Sequence, residues 1–204
     1  EKQGALAMPD IPAYFAALAD IATRIPEDDL RAATQLIQSA YQNDRTIFAI
    51  GNGQSATTAT AFALDLTKGA SGPYRRFRVI ALTDNMAAIT AWANDADYEA
   101  VFAEQLVSLF RPGDLLLTIS ASGNSPNVLA AAAWVREHQG RTIALAGFGG
   151  GRLSRMADVA VVVPSDDYGY VETAHVAICH YWVDAMRDWL ASGAGTDAPA
   201  ARTA

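Results

Sequence analysis

Apolar positions fall into two rhythms along this chain, and their alternation predicts its layout. Ile11, Tyr14, Phe15, Leu18, Ile21, Ala22 and Ile25 recur at helical spacing, and Leu30, Ala33, Leu36, Ile37, Ala40 and Tyr41 repeat it beyond Pro26. An N-terminal helical hairpin therefore precedes any strand. Short continuous apolar runs follow at 46–50, 77–82, 115–119, 142–146 and 159–163, each reading as a buried strand. Helical patterns lie between them at 57–67, 83–93, 128–138 and 153–157, with a last one at 171–190. Asn94-Asp95 breaks one pattern, and Tyr98, Val101, Phe102, Leu106 and Leu109 start another. Continuous apolar strands alternating with helices imply an α/β chain with a doubly wound, five-stranded parallel sheet. Right-handed crossovers bring the loops after the strands to one rim, where ligands bind beside the point of strand-order reversal.

Two loops on that rim carry the chemistry. After the third strand comes Ser120-Ala121-Ser122-Gly123-Asn124-Ser125-Pro126-Asn127. Ser125 suits an N-cap and Pro126 a first helical residue. A helix start offers unpaired amides and a positive dipole end, so hydroxyls placed there suit a small phosphorylated ligand. By itself the stretch also reads as an ordinary capped turn. The first strand runs into Gly51-Asn52-Gly53-Gln54-Ser55-Ala56. This is not a Walker A loop, since no Gly-Lys-Ser/Thr follows. It is not the dinucleotide fingerprint either, since position 56 is alanine and no acid ends the second strand.

Composition narrows the field. With 204 residues, 51% of them hydrophobic, the chain is long enough for one domain with a sizeable core and is not a disordered segment. Residues 8–192 read as that domain, 1–7 as an expression remnant ahead of Met8, and 193–204 as a frayed tail. A net charge of −7 without a basic run argues against nucleic acid. A local nest of amides still holds an anion against such a field. One cysteine, Cys179, gives neither a disulfide nor a Cys-based zinc motif and fits a reducing cytoplasm. No apolar run is long enough for a membrane span, and no signal peptide is evident.

At this point the chain resembles a known family. Ile50 to Ala56 is similar to the Gly-Asn-Gly-Gly-Ser motif of phosphoheptose isomerases, within the sugar isomerase (SIS) domain superfamily. Ile119 to Val128 resembles their second motif, normally Ile-Ser-Thr-Ser-Gly-Asn-Ser. Segments at 93–102, 163–167 and 175–180 resemble the family in the same order. The resemblance implies a five-stranded parallel sheet with flanking helices, a homo-oligomer, usually a tetramer, with sites between subunits, and isomerisation of sedoheptulose 7-phosphate. Asp65 and His180 take the family's two proton-transfer positions, the acid one methylene shorter than the usual glutamate. The phosphate falls to Ser55, Ser120, Ser122 and Ser125, and the rest of the substrate to Asn52, Gly53, Asp95, Asp167 and Glu172. The family often holds a zinc; here Ala61 removes one ligand, leaving Asp65, Glu172 and His180 as a two-carboxylate, one-His set for a divalent metal.

Competing readings accompany these assignments. His180 also reads as a satisfied core histidine, Asp65 as a partner of Lys68, Glu172 as an acid in the first turn of its helix, and Asp167 as loop solvation. His175 reads as a packed residue, and Trp182 and Trp189, seven apart, as a seam between subunits. The alternative function is a phosphosugar-binding regulator acting through protein contacts, toward which the loss at Ala61 would point; retention of both Asp65 and His180 speaks for the enzyme.

Overall fold

The computed structural model describes residues 10–70 and 75–194. Residues 1–7, expected to be a remnant, and the expected tail from 195 on lie outside the described residues. The chain runs α1 (Ile11–Thr23), α2 (Glu27–Gln42), β1 (Thr46–Gly51), α3 (Gln54–Gly69), β2 (Arg78–Ala81), α4 (Met86–Asp95), α5 (Ala103–Leu109), β3 (Leu115–Ile119), α6 (Pro126–Glu137), β4 (Arg141–Ala146), α7 (Leu153–Met156), β5 (Val159–Val162) and α8 (Tyr168–Ala191). Short 3-10 turns follow β2 at Leu82–Asp84 and β4 at Phe148–Gly150.

All five strands are parallel, in the order β2-β1-β3-β4-β5. Successive strand residues point to opposite faces. Ile47, Ala49, Leu115, Leu117, Ile143 and Leu145 therefore pack under α2, α3 and α8, against Ile37, Phe62, Leu66, Trp182 and Met186. Phe48, Ile50, Leu116 and Ala144 pack on the other face against Leu82, Phe102, Leu106, Val128, Val135 and Leu153. β1 and β3 are buried along their whole length, which is why both read as unbroken apolar runs. Buried Asp114 ties the lower ends of these central strands together. Its carboxylate accepts from Thr46 N at 2.8 Å and from Arg111 N at 2.8 Å. Strand order reverses between β1 and β3, so the loops leaving those two strands face each other across the upper rim.

Several sequence expectations shift in detail. β2 is an edge strand of four residues, with Arg78 and Ile80 exposed, rather than a buried run over 77–82. Its single neighbour, β1, leaves one side open to solvent. Asp95 ends α4 instead of breaking it, and residues 98–102 form turns, so only Ala103–Leu109 of the expected helix is helical. Both helices of the N-terminal pair form. α1 carries one buried residue, Ile21, and lies against α8, where the tilted rings of Tyr14 and Tyr170 meet with centroids 4.9 Å apart. Trp182 is not an intersubunit seam: it is fully buried in its own chain, edge-on to Phe62, while Trp189 meets Tyr41. Among the described residues no helix is long and apolar enough to cross a membrane.

Candidate active site

The two rim loops meet because each turns sharply into a helix. After β1, Gly51 leaves no room for a side chain, since a Cβ there would stand 2.7 Å from Ser55. Gly53 then adopts φ 55° as the N-cap of α3, and Ser55 N donates to Asn52 O at 3.0 Å. Opposite, Ser125 caps α6 and Pro126 follows it, as the sequence suggests. Its hydroxyl, however, makes no capping bond; Ser125 Oγ instead pairs with Ser120 Oγ at 3.1 Å. Two hydroxyls thereby converge on one point, with the amides of the α6 N-terminus beside them.

An asparagine pair joins the loops. Asn52 Nδ2 donates to Asn127 Oδ1 at 2.8 Å, and Asn127 Nδ2 donates to Asn52 Oδ1 at 2.9 Å. Val128 N also donates to Asn127 Oδ1, which fixes which end of that amide is oxygen, and hence the orientation of Asn52. The Tyr98 hydroxyl donates a second bond to Asn52 Oδ1 at 2.9 Å. Asn52, expected to touch sugar, thus has its carbonyl oxygen filled and one of its amide hydrogens committed. Asn127, only 1% exposed, is a site residue the functional assignment above did not include.

A cavity of about 140 Å³ opens between the loops, lined by Asn52, Ser55, Ile119, Ser120, Ala121, Ser122, Ser125, Tyr168 and Glu172. Six of the expected site residues are here: Asn52, Ser55, Ser120, Ser122, Ser125 and Glu172. Tyr168 joins them unforeseen. At about 30 Å³ per water the space suits a phosphoryl group rather than a whole sugar phosphate. Glu172 also lines a second cleft of about 540 Å³ that runs along α8 past Thr173, Val176 and Ala177 to His180, with Tyr14 and Gln54 on its other side. Glu172 is the fifth residue of α8, beyond the first turn, because the helix starts at Tyr168.

The proton-transfer candidates lie farther along their helices. Asp65 sits on α3 ten residues past Ser55, about 15 Å down the helix axis, and His180 lies eight past Glu172, about 12 Å down α8. The Cys179 thiol, next to His180 in the chain, is pushed far up, first by burial and then by the charge of Asp65. His180 is exposed rather than a core residue, and no ion pair or hydrogen bond joins it to Asp65 among the described residues.

Four expected residues line neither cavity: Asp65, half-buried on α3, and Gly53, Asp95 and Asp167. Gly53 is exposed at the α3 cap. Asp95 is exposed and accepts from Asn94 Nδ2 at 2.8 Å. Asp167 is spent as the N-cap of α8, where its carboxylate accepts from Tyr170 N at 3.1 Å. The metal set is not gathered by one chain either. Among the described residues no three His, Cys, Asp or Glu side chains group to hold an ion, and Ala61 offers no donor. Asp65, Glu172 and His180 thus do not fit a metal within a single chain.

His175 is buried at 1% exposure below this region, as the packed reading expects. Burial lowers its pKa to about 4, partly offset by the neighbouring Ala146 carbonyl, yet neither ring nitrogen attains hydrogen-bond geometry.

The family model of the SIS domain matches residues 13–147. The chain is 36% identical over 160 residues to the phosphoheptose isomerase of Helicobacter pylori (strain ATCC 700392 / 26695), an alignment spanning 78% of this chain and 83% of that protein. It is 38% identical over 165 residues to the phosphoheptose isomerase of Mycobacterium tuberculosis (strain ATCC 25177 / H37Ra), spanning 78% and 84%. Among solved structures, phosphoheptose isomerase GmhA from Neisseria gonorrhoeae superposes with a TM-score of 0.81 at 33% identity, covering 87% of this chain and 97% of that one.

Proposed function

Since this chain belongs to the phosphoheptose isomerase family of SIS-domain proteins, we propose that it interconverts sedoheptulose 7-phosphate and an aldoheptose 7-phosphate. One observation carries the reading: a phosphate-sized pocket lined by four serines shares Glu172 with a neighbouring cleft that reaches His180. With carbon–carbon bonds of about 1.5 Å, an extended seven-carbon phosphate spans roughly 10 Å, close to the length from Glu172 to His180.

The phosphate sits among Ser55, Ser120, Ser122 and Ser125, where the starts of α3 and α6 add amides and positive dipole ends. Glu172 meets the sugar hydroxyls beyond the pocket. Asp65 removes a proton from C1 of the ketose, and the released electron pair forms the C1–C2 double bond of an enediol as His180 protonates the C2 carbonyl oxygen. The proton on O1 then passes to His180, and the proton held by Asp65 returns to C2. Such transfers suit a carboxylate and an imidazole. No step runs through a metal, because the residues of one chain do not fit one. The molecule works as a homotetramer, a reading supported by the exposed apolar side chains Ile11, Phe15, Leu64 and Met86; sedimentation of a monomer at working concentration would count against it.

Incubation with sedoheptulose 7-phosphate, with and without added divalent cation, should produce aldose signals by NMR and, in D2O, deuterium at C2 in the fraction of turnovers in which the proton on Asp65 exchanges with solvent. Absence of turnover under every condition defeats the reading.

A further inference from the structure

We propose that Tyr168 is a phosphate-binding residue of this site, donating its phenolic O–H to the phosphoryl group held by the serines. The inference rests on the phosphosugar reading above and assigns to it a residue that the sequence did not mark.

The walls of the small cavity are unequal. The β1 and β3 loops supply the hydroxyls of Ser55, Ser120, Ser122 and Ser125, while Ala121 contributes no donor. The remaining wall belongs to α8 and consists of Tyr168 and Glu172. These residues are four apart and stand one above the other on a single helical face. A carboxylate on that wall disfavours a phosphate by charge. The phenol is the one neutral donor there, and a hydrogen bond from it to a charged oxygen is of the stronger kind.

Tyr168 is 56% exposed, so its ring stands at the mouth rather than in the core. The ring is nevertheless held: it rests on Phe148, with centroids 4.6 Å apart and planes inclined at 46°. Phe148 is itself fixed. It adopts φ 48°, a left-handed conformation that a bulky residue takes only when its surroundings impose it. Its amide donates to Ser165 O at 3.0 Å, while that of Gly147 donates to Ala121 O at 2.8 Å. The loop after β4 is thereby fastened to the serine loop on one side and to the segment before α8 on the other. A side chain held this way at the rim of an anion pocket loses little freedom when ligand arrives.

The test is calorimetric titration of inorganic phosphate and of sedoheptulose 7-phosphate into the intact protein, Tyr168→Phe and Phe148→Ala, with steady-state kinetics alongside. Tyr168→Phe should weaken both ligands about tenfold and raise KM by the same factor while kcat stays within about twofold. Phe148→Ala should weaken both ligands less, and its effect should largely vanish in the Tyr168→Phe background. In the unsubstituted protein, the Tyr168 ring resonances should shift on adding inorganic phosphate alone. Tyr168→Phe binding both ligands like the parent overturns this inference and leaves the isomerase standing. A parent protein that binds neither ligand overturns both.

Discussion

Replacing Asn127 separates two jobs that one side chain performs. Asn127→Ala deletes both bonds of the asparagine pair, at 2.8 and 2.9 Å, and the bond from Val128 N at 3.0 Å. Half-exposed Asn52 rehydrates, but the buried Val128 amide does not. At about 1 kcal/mol per neutral bond the loss is about 2–3 kcal/mol. For a domain of this size that lowers Tm by roughly 5–10 °C. Asn127→Asp behaves differently. It keeps the shape and both accepted bonds, and its charge is favourable at the N-terminus of α6. It loses one donated bond, and it sets a negative group beside the serine pocket. Like charges at such a site repel by about 1–4 kcal/mol, at least a roughly fivefold loss of phosphate affinity. Alanine should therefore be the worse variant in a thermal melt, and aspartate the worse in phosphate calorimetry. An Ala variant melting within about 1 °C of the parent, or the same rank order in both assays, refutes the idea that this pair fastens the loops beside an anion site.

Further outcomes follow from the same geometry. His180→Ala should lower kcat by about 100-fold or more and leave inorganic phosphate affinity unchanged, because the imidazole lies about 12 Å along α8 from the pocket wall; parent-like turnover removes it from the chemistry. His175 is held neutral by burial, with a pKa of about 4 against 6.5 for the free side chain. The unfolded chain thus takes up this proton first as pH falls. Its effect on stability is flat above pH 6.5 and costs up to about 3 kcal/mol on descending to pH 4. Urea melts of His175→Gln at pH 7 and pH 5 should show a shallower pH dependence than the parent, and an equal slope defeats the assignment. Gly123→Ala would force a Cβ to within 2.1 Å of Gly150 O at φ +62°, so a loss above about 2 kcal/mol and weakened phosphate binding are expected. A parent-like melt would mean that the two loops readily part.

Much of this was legible in the chain because the same physics wrote both. The five runs of apolar residues became five strands; the signal is cleanest in β1 and β3, which are covered on both faces and carry no polar alternation to blur it. The serines of the two rim loops could be placed beside each other from connectivity alone. What resisted reading depends on depth and neighbours. Nothing local distinguishes Asp65 and His180 from rim residues, yet helical rise sets both well below it. Tyr168 hid beside Gly169, which disguised the true start of α8 at the Asp167 cap. Asn127 looked like an ordinary second residue of a helix, and only the fold puts Asn52 opposite it. Ser125 was correctly placed at its cap, but Ser120, distant until the loop closes, takes its hydroxyl.

The fastening of Gly147 to Ala121 has a consequence for how this chain can change. Surface connections usually accept extra residues, and the exposed bend at Ala96 and Asp97 can do so. The glycine run at 149–151 does not, because it fills the space behind the serine turn. A single residue inserted there should reach the ligand before it reaches the melting temperature, which makes this segment, remote from any reacting atom, a natural dial for changing substrate preference.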